Sequence, residues 1–162
     1  MRVLRHLCTP FWLLRLRYPA AVLEQIRRRI EAVESRHPGE LRFVAEHALD
    51  LGELLAGLTP RERALEVFSL LRVWDTERNN GLLIYVLHAE HAVEIVADRA
   101  LARVVPQERW DALCRMVEER FRAGDHAGGA LAAVDAAAAL LDEYFPGVAS
   151  DPNELPDQPL LL

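Results

Sequence analysis

Residues 82–87 read Leu-Leu-Ile-Tyr-Val-Leu, a nearly continuous apolar run. A parallel strand covered on both faces has this pattern, because neither side of it meets water. It should be central in a sheet. Upstream, Glu40 to His47 alternates, with Leu41, Phe43 and Ala45 on one side and Arg42, Val44 and Glu46 on the other, as a strand with one face on a core does. Between the two, Thr59-Pro60-Arg61-Glu62 supplies a capping residue, proline at the first helical position and glutamate three residues after the cap. A helix should start there, with Leu65, Phe68 and Leu71 as its buried stripe. Strand, helix and strand then make a βαβ unit with parallel strands.

After His88-Ala89-Glu90-His91, the β-branched run Ala92 to Ala97 should fold back as the second arm of a hairpin. Its turn has neither glycine nor asparagine, the usual residues for a tight reversal. Pro19 opens an amphipathic helix with Val22, Ile26, Ile30 and Val33 at helical spacing, and His37-Pro38-Gly39 ends it. Pro106 opens another, with Trp110, Leu113, Val117 and Phe121 inward and Gly124 as its stop. Asp125 caps the last, in which Leu131, Val134 and Leu141 face the core. The expectation is α/β: a three-layer α/β/α sandwich with a small mixed sheet. Residues 1–18 are expected as an N-terminal extension, 19–147 as the domain and 148–162 as a flexible, acidic, proline-rich tail.

A chain of 162 residues, 51% apolar and 27% charged, has the size and balance for one hydrophobic core. The net charge of −6 removes the general attraction for nucleic acid. All 19 basic residues are arginine, so lysine Schiff-base and P-loop chemistry are excluded. Cys8 and Cys114 lack zinc or redox spacing and read as reduced thiols. Arginines at 2, 5, 15 and 17 break every apolar run near the start, and no window reaches the roughly 20 residues of a membrane span. A cytoplasmic protein without direct membrane insertion is expected.

The hairpin pairs positions whose numbers sum to about 179, so Asp98 should face Gly81 and Asn80. Parallel strands begin at one edge, which brings Glu40 there, and the chain must arrive there through Asp75 and Asn79. Glu40, Asp75, Asn79, Asn80 and Asp98 thus form a hard-oxygen set suited to Ca²⁺ or Mg²⁺. Turn and capping preferences of Asp and Asn explain the same residues without a ligand. The opposite edge gathers His47, His88, Glu90 and His91, which fit a transition metal by type but also an ordinary set of turns. Ser35, Ser69 and Ser150 lack a glycine elbow, Cys114 sits on a core-facing helix, and Gly128-Gly129 falls inside a helix. No catalytic residue emerges.

The stretch RVWDTERNNGLLIY at residues 72–85, followed by AVEIVADR at 92–99 and closed by LLDEYFP, resembles the TPM domain family. That family is named for a thylakoid-lumen phosphatase, a photosystem II repair protein and a modulator of acetylcholine receptors. The resemblance covers about residues 19–146 and implies an α/β/α sandwich. It also implies divalent-cation binding in some members and weak acid phosphatase activity in plant relatives. By position, Asp75, Asn79, Asn80 and Asp98 match the polar pattern, whereas Ala100 stands where many relatives have glycine. Two functions follow as expectations. The first is a cation-binding module acting through a protein partner, such as a membrane protein; the second is a weak metal-dependent phosphatase in which the same carboxylates hold the metal.

Overall fold

The computed structural model describes residues 2–149 and 153–162. In chain order the elements are α1 (Arg2–Leu7), α2 (Phe11–Arg17), α3 (Ala20–Glu34), β1 (Glu40–Glu46), α4 (Leu51–Leu55) and α5 (Pro60–Leu70). They continue with β2 (Gly81–Leu87), β3 (Ala92–Ala97), α6 (Arg99–Val104), α7 (Gln107–Arg122), α8 (His126–Tyr144) and β4 (Leu160–Leu161).

The sheet order is β3-β2-β1-β4, with β1 parallel to both β2 and β4 and β3 antiparallel to β2. Every residue of β2 is buried, as its composition demands. The hairpin register runs from Leu82 opposite Ala97 to Leu87 opposite Ala92, so the paired numbers sum to 179 as expected. His91 closes the turn by adopting a left-handed backbone, with φ of 52°. A histidine there takes on the strain that glycine or asparagine would have avoided.

Two cores lie on the two faces of the sheet. On one, Leu41, Phe43, Ala45, Ile84 and Ile95 pack with apolar residues of α3, α7 and α8. On the other, Val44, Leu83, Tyr85 and Val96 pack with Ala64, Val67 and Phe68 of α5. Strand β1 is therefore covered on both faces, not one as its alternation suggested: Val44 meets the second core, and Glu46 is buried because Arg63 of α5 reaches it. Leu65 is 45% exposed and does not belong to the buried stripe. The inward positions of α5 are Ala64, Val67, Phe68 and Leu71, a helical i, i+3, i+4, i+7 set that leaves Leu65 about 100° away.

Both chain ends are more structured than their composition suggests. Leu14 and Tyr18, at the end of the N-terminal segment, are buried in the main core. The final segment, expected to drape loosely, ends in β4, where Leu162 N donates to Ala45 O at 2.9 Å and His47 N donates to Leu162 O at 2.9 Å. Arg42 Nη1 holds the same segment through the carbonyls of Pro156 and Gln158. Main-chain pairing and a buried Leu155 outweigh the lack of apolar periodicity. No helix among the described residues is long and apolar enough to cross a membrane.

Candidate functional site

Where β1 and β2 begin, a cavity of about 270 Å³ is lined by Glu34 from α3, Glu40 from β1, Asn80 from the loop before β2, and Glu154 and Asp157 from the C-terminal segment. Parallel register aligns Glu40 with Gly81, and Glu40 N donates to Asn80 O at 3.1 Å, so the first turn of the sheet fixes two of these residues. Glu34 arrives on the buried stripe of α3, four residues after Ile30.

Glu34 is only 8% exposed. Its Oε1 accepts from Leu41 N at 2.7 Å, while Oε2 is buried and accepts from no group among the described residues. Burial pushes its carboxyl up to about 9; the Leu41 amide opposes the rise, and Glu40 and Asp157 add to it. At neutral pH this group carries a proton. Glu40 is also raised by burial, against the amides of Leu155 and Glu154, which donate to Oε2 at 3.2 and 3.3 Å. Asn80 is 2% exposed, its backbone N donates to Thr76 Oγ1 at 3.1 Å, and its Nδ2 donates to Pro38 O. The Asn80 Oδ1 is left buried and unpartnered. The cavity thus combines acidic oxygens with the Asn80 Oδ1, a buried acceptor that takes nothing from the protein, and the Glu34 Oε2, whose proton has the neighbouring Asp157 carboxylate as its acceptor, so the amide oxygen is costly unless something polar satisfies it.

The oxygen set read from the sequence divides here. Glu40 and Asn80 share the cavity. Asn79 takes a left-handed backbone, and its Oδ1 accepts from Arg99 Nη2. Asp98 N donates to Gly81 O at 2.9 Å, which puts it at the expected edge. One of its oxygens caps α6 through Arg99 N at 2.7 Å, and the other is buried without a partner. Asp75 is exposed in the loop that leads into β2. Glu34, Glu154 and Asp157 were not singled out in the sequence. The signal for Glu34 was its position on an otherwise apolar stripe.

Among the described residues, no three of His, Cys, Asp and Glu converge as a preassembled metal cluster. At the other edge, His47 Nδ1 lies 2.9 Å from the Leu162 carbonyl, His88 is held by Arg17 and Tyr18, and Glu90 is held by Arg2 and His6. Cys114 is mostly buried and its thiol is pushed up to about 12 by that burial, so it is no nucleophile at neutral pH. Ser150 lies outside the described residues.

A mixed parallel–antiparallel sheet between helical layers, with a polar cavity at the N-terminal edge of its parallel pair, defines an α/β/α sandwich domain. The model of the TPM domain matches residues 19–140, three quarters of the chain, and the chain belongs to that family. Its fold is similar to that of BA42 protein from the psychrophilic bacterium Bizionia argentinensis, with 26% identity, a TM-score of 0.76, and coverage of 88% of this chain and 94% of that one. It is also similar to the N-terminal domain of a protein from P. gingivalis, at 22% identity and a TM-score of 0.62, covering 82% of this chain and 81% of that one. No curated protein matches the chain.

Proposed function

We propose that this TPM-domain protein is a divalent-cation-binding module whose cavity at Glu34, Glu40, Asn80 and Asp157 takes Ca²⁺ or Mg²⁺, and which acts through contacts with a protein partner. One observation carries the reading: the buried, unpartnered Asn80 Oδ1 lies in the same cavity lining as the buried Glu34 carboxyl. Hard cations are bound by such a mixture of carboxylate and amide oxygens, completed by water. The carboxylates would have to close inward and Glu34 would have to release its proton, so affinity should rise with pH. Asp75, Asn79 and Asp98 lie along the chain around this edge and would shape the loop instead of lining the cavity.

The exposed Trp74, beside Asp75, supports the contact half of the proposal, because an exposed indole is a frequent interface anchor. The phosphatase reading has less support. No arginine lines the cavity among the described residues, whereas phosphoryl transfer needs positive charge on the phosphate oxygens.

The test is calorimetric titration with Ca²⁺ and with Mg²⁺ in two buffers of different ionisation enthalpy, alongside amide NMR. The expected result is saturable heat that depends on the buffer through proton release, with shifts at Leu41, Asn80 and Leu155. Absence of heat and of shifts at millimolar cation, at pH 7 and pH 9 alike, would sink the proposal.

A further inference from the structure

At the opposite edge, beyond the C-terminal ends of β1 and β2, an open cleft of about 690 Å³ is lined by Arg5, Arg17, His88, Glu90, His91 and Arg122. In open α/β sheets this is the edge where ligands collect. From this cleft we infer a second site, which binds a phosphate-bearing small molecule between the guanidinium groups of Arg5 and Arg17.

The charge arrangement supports this. Among the described residues Glu90 is the one carboxylate in the lining, and it is already committed, accepting from Arg2 Nε at 2.7 Å and lying 2.9 Å from His6 Nε2. Arg122 is paired with Glu118 at 2.8 Å. Arg5 and Arg17 have no carboxylate partner among the described residues, so two positive charges stay uncompensated in a protein whose net charge is −6. A phosphomonoester dianion matches that excess, and its oxygens suit the forked donors of arginine.

The site is also built. Arg17 Nη1 donates to Nδ1 of the buried His88 at 3.1 Å, and His88 Nε2 lies 2.9 Å from the Tyr18 hydroxyl. His88 is thereby fixed as a neutral imidazole with its proton on Nε2, and it orients the guanidinium while leaving other N–H groups for a ligand. The positive field shows in the imidazoles. His126 is pushed down to about 4, by burial first and then by Arg17, and His91 is lowered by burial and by Arg17, Arg122 and Arg5. His91 also holds the left-handed backbone of the hairpin turn and has a buried, unpartnered Nδ1. Arg5 and Arg17 precede residues 19–140, so the family match covers His88, His91 and Arg122 of the cleft but not the two arginines that would hold the ligand.

The ligand phosphate has two sources, a soluble metabolite or a lipid headgroup. The exposed Leu4, Leu7, Trp12 and Leu16 on α1 and α2 make the second a real arm of the test. Inorganic phosphate and pyrophosphate are titrated into the full chain and followed by calorimetry and by histidine NMR. Vesicles of phosphatidylcholine with and without phosphatidic acid are tested by co-sedimentation. The expected result is saturable binding that raises the titration midpoints of His91 and His126 and is weakened about tenfold in Arg17→Gln and in Arg5→Gln. The exposed Arg5 carries no fold contact comparable to that of Arg17, and Arg99→Gln, at the other edge, should bind as the parent does. Binding of phosphate or pyrophosphate assigns a soluble ligand; binding only to phosphatidic-acid vesicles, lost in both variants, assigns a headgroup. The inference is overturned if neither probe binds, or if binding survives both substitutions unchanged.

Discussion

The Tyr85 hydroxyl donates to Glu46 Oε2 at 2.5 Å, and the same carboxylate accepts from Arg63 Nε at 3.0 Å and Nη2 at 2.9 Å. This triad, with Tyr85 and Glu46 buried and Arg63 half-buried, ties the end of β1 to the middle of β2 and to α5. Arg63→Met strands the Glu46 charge beneath α5 and should cost about 3–5 kcal/mol in urea unfolding. Tyr85→Phe removes one charge-assisted bond and should cost about 1.5–3 kcal/mol. Replacing Glu46 and Arg63 together by methionine should recover most of the loss, because no buried charge is then left alone. A double variant as unstable as Arg63→Met would show that packing, not the charge, sets the cost.

The elevated Glu34 carboxyl makes stability fall as pH rises. Its ordinary value of 4.5 applies to the unfolded chain and about 9 to the folded one, so between these limits the folded state holds a proton that the unfolded state has released. Stabilisation from the neutral acid is complete below the lower limit and is lost progressively toward the upper. The slope approaches about 1.4 kcal/mol per pH unit at most, since each unit of difference is worth that much. Glu34→Gln, neutral throughout, should flatten this part of the profile and gain on the parent from pH 6 to pH 9. Parallel curves for the two chains in urea denaturation would contradict it.

Gly81 stands where a side chain has no room. An ideal Cβ there would lie 1.9 Å from the Val73 carbonyl oxygen, and a backbone atom cannot rotate away. Gly81→Ala should therefore push β2 off the turn that follows α5 and cost about 3 kcal/mol, at the upper end for overpacking. Thermal unfolding measures it, and a loss no larger than that of a typical surface substitution would mean the loop yields freely.

Particular residues show why some of this was readable in the chain and some was not. The hairpin register followed from the short gap between two apolar runs, and Asp98 fell opposite Gly81 as the numbering required. The capping box at Thr59 is local chemistry, and its reciprocal bonds are present. Glu46 looked solvent-facing because its partner Arg63 comes 17 residues later, and nothing in an alternating pattern reveals that a distant helix will cover a charge. The cavity was half visible: Glu40 and Asn80 sit at strand starts, which topology aligns, whereas Asp157 reaches it from a segment whose pairing depends on backbone hydrogen bonds and not on side-chain periodicity. The arginine cleft has no signature in the sequence, because α1 and α2 are short and their arginines interrupt apolar runs without forming a motif.

Shortening the chain after Ala149 tests how far the last segment makes the cavity. Leu160 and Leu161 pair with Val44 and Ala45, and removing them turns β1 into an open edge. Glu40 loses the amides of Glu154 and Leu155, and Glu34 loses Asp157 and much of its cover. Three effects should then appear together. Urea midpoints should fall, because the edge of β1 and the apolar surface that Leu155 covers are exposed. Self-association should rise in sedimentation, since an unpaired edge invites another chain. The pH dependence assigned to Glu34 should shrink, because water admitted to the cavity stabilises the carboxylate. Loss of stability with the full pH slope retained would separate the segment's role as a strand from its role as the cavity wall, and would return the elevated carboxyl to α3 and β1 alone.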